Sequence, residues 1–391
     1  MSKIELIATA TFGLESIVKR EIEQLGYKVT QSEDAKITYL TDERGIARSN
    51  LWLRCADRVL LKMGEFMAET SEDLFQQTKA IPWEQWIPED GKFTVTCTTV
   101  KSNLRSEPAC QKTVKKAIVE RMRECYLREQ FPETGAEYTV KVTLLKDRAT
   151  LTIDTSGSGL HTRGYRKNPV RAPIKETLAA ALIQLSFWRP GRALVDPFCG
   201  SGTIPIEAAM IARNIAPGLG RKFASEEWDS VDTELWKEER TRAYGMIEYD
   251  TELRIFGSDL DPAAVEAARG NAEEAGVDDC IEFSVSDFLR RDSMPEPYSV
   301  IICNPPYGQR VGDQRILQAI NEQFRGLLGS DETLSCYVIT ADRNLEKAIL
   351  PRKPDRRRKL YNGRLETCYY QYYGKRPPRP ENVTINDLWR K

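Results

Sequence analysis

Four short stretches in the C-terminal half carry residue types suited to chemistry, and each follows a run that reads as a strand. The first is Asp196-Pro197-Phe198-Cys199-Gly200-Ser201-Gly202, with helix-forming residues from Thr203 onward. Glycines at such a corner let backbone approach a ligand, and the helix beyond offers unpaired N–H groups. The third glycine of a dinucleotide fingerprint is replaced by Pro205, and no Gly-Lys-Ser/Thr occurs, so neither a dinucleotide loop nor a triphosphate loop fits. An acid ahead of the glycines suits a ligand with positive charge. The second stretch, Gly257-Ser258-Asp259-Leu260-Asp261-Pro262, puts Asp259 where a ribose diol is held, while Asp261, just before Pro262, has the form of a helix cap. The third, Ser286-Asp287-Phe288, offers a carboxylate to the exocyclic amine of adenine and a ring for adenine to pack on. The fourth, Asn304-Pro305-Pro306-Tyr307-Gly308, closes the apolar run Val300-Ile301-Ile302-Cys303. Two prolines force an abrupt, rigid turn without backbone donors. That turn presents the Asn304 side-chain oxygen and the Pro305 carbonyl to an amino group, and Tyr307 as a stacking face for a base.

Strands alternating with helices must position these stretches. Strands are expected at 193–196, 253–258, 281–285, 298–303 and 335–340, with a late pair near 359–361 and 366–373. This is the pattern of an α/β, doubly wound parallel sheet. A charged insertion, 217–251, with Trp228 and Trp236, reads as a partly helical lid or brace. Residues 1–69 read as βαββαβ, the split-βαβ ferredoxin-like plan. A second α+β unit, 70–165, holds a helix at 71–79, a strand at 93–99, a long basic helix at 108–128 and a hairpin-like pair at 138–145 and 149–154. Residues 155–173, rich in Gly, Ser, Pro and Arg, read as a surface connector containing the single histidine, His161. The remaining domain is 166–391, and the Pro-rich tail, Arg376 to Pro380, is expected to leave its sheet.

At 391 residues the chain exceeds one ordinary domain. No apolar run approaches the roughly 20 residues that span a bilayer. The N-terminus has no secretory pattern, and nine scattered cysteines without a Cys-x-x-Cys pair point to reduced thiols, a cytoplasmic setting and no metal site. Net charge is −1, yet 101–128 holds eight basic against three acidic residues, 161–175 holds five basic residues and no acid, and 352–359 holds six basic residues against Asp355. Such clusters are what phosphate backbones require. The candidate contacts are Lys101, Arg105, Lys112, Lys115, Lys116, Arg163, Arg166 and Lys167, with Arg171 in the same run.

The Asp196-Pro-Phe-Cys-Gly-Ser-Gly and Asn304-Pro-Pro-Tyr stretches resemble those of amino-methyltransferases acting on adenine N6 in DNA or guanine N2 in RNA. With Gly159-Leu-His-Thr-Arg-Gly-Tyr-Arg, Ala172-Pro-Ile-Lys-Glu-Thr-Leu and Ala216-Pro-Gly-Leu, the whole chain is similar to the bacterial THUMP-containing large-subunit ribosomal RNA guanine-N2 methyltransferases. The resemblance implies a Rossmann-like class I methyltransferase domain behind ferredoxin-like and THUMP domains, the last an RNA-binding module. It implies S-adenosyl-L-methionine as cofactor, held by Asp196, Phe198, Gly200, Gly202, Asp259, Asp261, Asp287, Phe288 and Asn304. Asn304, Pro305 and Tyr307 are then the catalytic set, and the partner is 23S ribosomal RNA or a large-subunit assembly intermediate. A tRNA guanine-N2 methylase and an adenine-specific DNA methylase would use the same loop. A non-catalytic RNA-binding assembly factor is a further reading, against which the intact Asp196, Asp259, Asp287 and Asn304 stand.

Overall fold

The computed structural model describes residues 3–167, 173–307, 313–349 and 352–378; Arg171, Gly308 and the tail from Arg379 lie outside them. The chain divides into two compact units, Met1–Gly164 with Asn214–Ile247, and Tyr165–Arg213 with Glu248–Lys391.

In the first unit the elements run β1 (Ile4–Ala10), α1 (Glu15–Gln24), β2 (Lys28–Glu33), β3 (Lys36–Thr41), α2 (Glu43–Trp52), β4 (Ala56–Met67), α3 (Ser71–Lys79), β5 (Lys92–Val100), α4 (Glu107–Tyr126), β6 (Glu137–Leu145) and β7 (Arg148–Asp154). Their seven strands form one sheet in the order β2-β3-β1-β4-β7-β6-β5. The two α+β segments read from the sequence are therefore one continuous sheet, joined where β4 pairs antiparallel with β7, Leu61 opposite Ile153. Long β4 makes this possible: its first half pairs with β1 and its second half runs along β7. In β6, Tyr138, Val140, Val142 and Leu144 are buried, the period-two pattern of a strand with one core face.

The segment expected as a surface connector begins inside the unit, and its described residues then alternate between buried and exposed. Thr155 and Ser156 are fully covered, and the Asn50 side chain donates to Thr155 Oγ1 at 2.8 Å while Ser156 Oγ donates to Asn50 Oδ1 at 2.7 Å. Small hydroxyl residues go inside when their polar atoms find partners. The insertion is a brace of this same unit. Trp228 stacks on Tyr138 at 4.8 Å, and Ser225 N–H donates to the Thr155 carbonyl at 3.1 Å. On α7 (Thr233–Gly245), Glu239 is 1% exposed and accepts from Arg48 Nε at 2.8 Å and Arg44 Nη1 at 3.1 Å, both on α2.

The second unit holds α5 (Glu176–Leu185), β8 (Leu194–Asp196), α6 (Thr203–Ala212), β9 (Ile255–Asp259), α8 (Pro262–Glu274), β10 (Ile281–Val285), β11 (Val300–Cys303), α9 (Asp313–Ser330), β12 (Ser335–Thr340), α10 (Leu345–Ala348), β13 (Arg356–Asn362) and β14 (Leu365–Tyr372). Its sheet runs β10-β9-β8-β11-β12-β14-β13. The first five strands are parallel, and β14 is antiparallel to both neighbours. Every residue of β8, β11 and β12 is buried, as a doubly covered parallel sheet demands. The core includes Val195, Ile301, Ile320, Phe324, Leu327 and Val338.

Candidate active site and nucleic-acid interface

Strand order reverses at β8, which has β9 on one side and β11 on the other. Parallel strands leave a crevice beyond their carboxyl ends at such a point. Asp196 ends β8, is 1% exposed, and accepts from Phe198 N–H at 3.1 Å. Asp259 ends β9; its Oδ2 accepts from Gly200 N–H at 2.9 Å and its Oδ1 from Asp261 N–H at 3.0 Å. One carboxylate thus ties two loops together. Asp261 Oδ1 accepts from Ala263 N–H at 2.9 Å, so this member of the expected cofactor set caps α8.

Gly200 and Gly202 have φ of +52° and +81°. A Cβ at Gly202 would come within 3.1 Å of the Phe283 ring, whereas one at Gly200 would meet nothing within 4 Å. Backbone conformation favours glycine at both positions, crowding against Ala268 and Phe283 adds to it at 202, and Gly200 faces open space. Burial and the neighbouring Asp259 charge push the Asp196 carboxyl well above the usual carboxylate range, against the pull of the Phe198 N–H. Among the described residues no lysine or arginine pairs with Asp196 or Asp259. Two adjacent acids beside an open, glycine-lined corner are complementary to a ligand with an amino group, a sulfonium and a ribose, so the residues present fit S-adenosylmethionine.

Asp287 follows β10, and its Oδ1 accepts from Leu289 N–H at 3.0 Å. Phe288 departs from expectation. Only 4% exposed, its ring lies 4.9 Å from Phe198 and 4.7 Å from Phe324, inside the core under α9. Withdrawing a buried Phe costs about 1.5 to 3 kcal/mol, as much as the roughly 1 to 3 kcal/mol a stacked base returns. The ring therefore serves the core, and through it the half-buried Phe198. The apolar surface at this edge is made by Leu260 and Val285, 69% and 52% exposed, with Val285 opposite Asp259 in the ladder. Sequence reasoning passed over both; for Leu260 its place between Asp259 and Asp261 was the available signal, and Val285 had none.

Asn304 follows β11, whose Ile301 lies opposite Val195 of β8, so Asn304 and Asp196 stand at neighbouring strand ends. Pro305 is buried and Pro306 exposed. The Tyr307 hydroxyl donates to Asn304 Oδ1, so in this structure the tyrosine occupies the acceptor expected for a base. Burial pushes the Tyr307 hydroxyl up to about 12, against a hydrogen bond with Asn362, so it stays protonated and able to donate at neutral pH. Asn362, at the end of β13, comes to Tyr307 only through the sheet topology, and nothing in the sequence marked it.

Residues 163–371 match the RMKL-like methyltransferase domain, 5–60 the RlmL ferredoxin-like domain and 68–154 the THUMP domain. The chain is 46% identical over 385 residues to "Putative RNA methyltransferase YpsC" of Bacillus subtilis (strain 168), covering 97% of this chain and 98% of that one. The chain belongs to the RMKL-like methyltransferase family. Among solved structures, "SMU.472, a putative methyltransferase complexed with SAH" matches with a TM-score of 0.91 and 41% identity over 97% of this chain and all of that one. A structure from Listeria monocytogenes str. 4b F2365, described as "a predicted N6-adenine-specific DNA methylase", matches with a TM-score of 0.91 and 45% identity over 96% of this chain and 97% of that one.

In the THUMP segment the basic helix α4 is polarised. Toward its C-terminus, Arg121 makes two hydrogen bonds to Glu84, Arg128 lies 2.5 Å from Glu89 and Arg123 3.6 Å from Glu129. Toward its N-terminus, Lys112 and Lys115 are exposed and form no ion pair among the described residues, as do Lys101 and Arg105 in the preceding loop. Lys115 lies over the Phe93 ring at 5.5 Å, and Lys116 is 3.7 Å from Glu120. Lys146 joins this group because its N–H donates to the Val100 carbonyl beside Lys101. The sequence hid it in a two-residue hairpin turn, brought to β5 only when β5 and β6 pair. The positive N-terminal pole of α4, capped by Ser106, adds to the field there.

The other expected RNA contacts go elsewhere. Arg163 is 4% exposed and donates to the Leu160 carbonyl at 2.7 Å and the Arg54 carbonyl at 2.5 Å. Arg166 pairs with buried Glu176, and Lys167 with Glu274. In the 352–359 cluster, Arg352 donates to the Leu328 and Tyr373 carbonyls, Arg357 pairs with Glu346, and Lys359 with Glu366. The fold thus supplies acids or carbonyls to three of the six basic residues there, while Lys353, Arg356 and Arg358 form no ion pair among the described residues. Among the described residues no helix is long and apolar enough to cross a membrane.

Proposed function

We propose that this protein is a cytoplasmic RNA methyltransferase that uses S-adenosyl-L-methionine to methylate the exocyclic N2 of a guanine in 23S ribosomal RNA, free or in a large-subunit assembly intermediate. The observation that carries this reading is the adjacency of β8 and β11, which sets the Asp196–Gly202 loop and the Asn304-Pro-Pro-Tyr turn side by side at the switch point. The names carried by the YpsC and SMU.472 relatives support the RNA substrate and the cofactor.

When bound, S-adenosylmethionine supplies a methyl group activated by a sulfonium. Gly200 and Gly202 would give it backbone access, Asp196 a buried carboxyl that a cationic donor would draw toward its charged form, and Asp259 an acceptor for the ribose diol while it keeps the Gly200 loop in place. A guanine N2 lone pair is delocalised into its ring and is a poor nucleophile. Asn304 Oδ1 and the Pro305 carbonyl accept from that amine, favour a tetrahedral nitrogen and aim its lone pair. For this the Tyr307 hydroxyl releases Asn304, and its ring stacks on a base that has left its own stack.

The same acceptor pair takes an adenine N6, and the description carried by the Listeria structure names that activity. Incubating the protein with methyl-labelled cofactor and ribosomal RNA, tRNA or DNA, then digesting to nucleosides, separates the readings. N2-methylguanosine in 23S ribosomal RNA is expected. The same product only in tRNA, N6-methyladenine in DNA, or no transfer to any of the three would replace it, the last favouring an assembly factor.

A further inference from the structure

Three consecutive residues at the start of the methyltransferase unit each reach a different element. The Tyr165 hydroxyl donates to Glu207 on α6 at 3.2 Å, Lys167 lies 2.5 Å from Glu274 on α8, and Arg166 between them turns to the glycine loop. Its Nε donates to Glu176 Oε1 at 2.8 Å, Nη1 to Ser201 Oγ at 3.3 Å, and Nη2 to Thr203 Oγ1 at 2.9 Å and the Ile174 carbonyl at 3.2 Å. Ser201 and Thr203 are each 3% exposed and flank Gly202. The Ser201 carbonyl accepts from Asn271 at 3.1 Å, and the Gly200 N–H is held by Asp259. The loop is therefore fastened residue by residue, and Arg166 holds two of its side chains.

We propose that Arg166 is a positioning residue for methyl-donor binding: by fixing Ser201 and Thr203 it sets the backbone conformation in which Gly200 and Gly202 receive S-adenosylmethionine. The proposal rests on reading the Gly200–Gly202 loop as the donor's seat. A planar fork with five donors serves a carboxylate and two hydroxyls together, whereas a lysine ammonium retains the charge and loses that geometry. Glu176 is 5% exposed at the first position of α5, so the positive charge also keeps a buried carboxylate paired. In this role Arg166 touches neither donor nor RNA.

The test uses the full chain as wild type, Arg166→Lys, Thr203→Val and the double variant. Binding of S-adenosylhomocysteine is measured by calorimetry and binding of 23S ribosomal RNA by anisotropy. Arg166→Lys should weaken cofactor-product binding about tenfold or more, the scale of one hydrogen bond to a charged group. Thr203→Val, which keeps shape and removes one acceptor, should give a smaller loss in the same direction. The double variant should be no weaker than Arg166→Lys, because both changes break the same hydrogen bond. RNA affinity should stay at the wild-type value in all three, an outcome that general destabilisation or a phosphate-contacting arginine would not give. Wild-type affinity for S-adenosylhomocysteine in Arg166→Lys, additive losses, or a fall in RNA affinity alone would overturn the proposal. If Arg166→Lys does not fold, Thr203→Val decides, and wild-type affinity there overturns it. Absence of S-adenosylhomocysteine binding by the wild type would instead remove the reading of the loop itself, and this proposal with it.

Discussion

The carboxyl edge of the methyltransferase sheet and the outer face of α4 both collect charged side chains, and they hold them in opposite ways. At the edge, Asp196, Asp259, Asp261 and Asp287 each accept from a backbone N–H, so short side chains are pinned to strand ends. On α4 the charges sit on long side chains whose fate depends on which acid packs nearby: Arg121 meets Glu84, while Lys112 meets none among the described residues. A pinned carboxylate suits a task that depends on ångström-scale placement, such as holding a donor against an amine. A free lysine suits a polyanion, because phosphate attraction is long-ranged and tolerant of geometry.

If the edge performs the chemistry, the largest effect belongs to Asn304→Ala. Single-turnover methylation at saturating RNA and cofactor should slow at least about a hundredfold, since one preorganised partner of this kind is worth about 2.7 to 4 kcal/mol in the transition state. Titrations of cofactor and RNA should stay near wild type. Asp259→Ala comes next, with cofactor affinity down about 10- to 150-fold by calorimetry, from about 1.5 to 3 kcal/mol. Unchanged affinity in a folded variant would take Asp259 out of the site.

Glu239→Gln probes a pinned carboxylate with no part in catalysis. Burial raises its pKa, but the hydrogen bonds from Arg48 and Arg44 prevail and hold it below the ordinary value of 4.5. A depressed folded-state pKa stabilises fully above the unfolded value and is lost as pH falls through the folded one. At pH 7 the variant should lose about 1 to 3 kcal/mol in denaturant unfolding, and the gap should close below about pH 4.5. A gap independent of pH would mean that the carboxylate charge contributes nothing. The smallest effect is expected on α4. Replacing Lys112 and Lys115 with Ala should weaken RNA binding several-fold and lower the single-strand salt slope by about 0.7 for each phosphate no longer neutralised. Arg121→Ala should leave that slope unchanged, because Glu84 already neutralises the arginine.

The same contrast explains what the sequence disclosed. The strand-end positions of Asp196, Asp259 and Asn304 were legible because apolar runs ending in an acid or amide beside glycines or prolines mark where a parallel strand stops. The ferredoxin-like segment and the doubly wound sheet were legible from strand and helix periods. The continuity of the first unit's sheet through β4 and β7 was not, since a ladder that pairs Leu60 with Asp154 leaves no local pattern. Arg163 and Arg166 looked like phosphate ligands because their acids and carbonyls are supplied by other elements. Phe288 looked like a base platform because a ring after a strand-end acid points either way, and only the packing of Phe198 and Phe324 decides. The insertion was opaque for the same reason: Trp228 and Glu239 have meaning only beside Tyr138, Arg44 and Arg48.

The central claim is that methyl transfer at the sheet edge and RNA capture on α4 are separable functions of one chain. The measurement that tests it most directly is the single-turnover methylation rate of Asn304→Ala and of the Lys112→Ala, Lys115→Ala pair, followed as RNA concentration is raised to saturation. The lysine variant should recover the wild-type rate at saturating RNA, while Asn304→Ala should remain at least about a hundredfold slow at every concentration. Recovery of Asn304→Ala at high RNA, or a lysine defect that persists there, would contradict it.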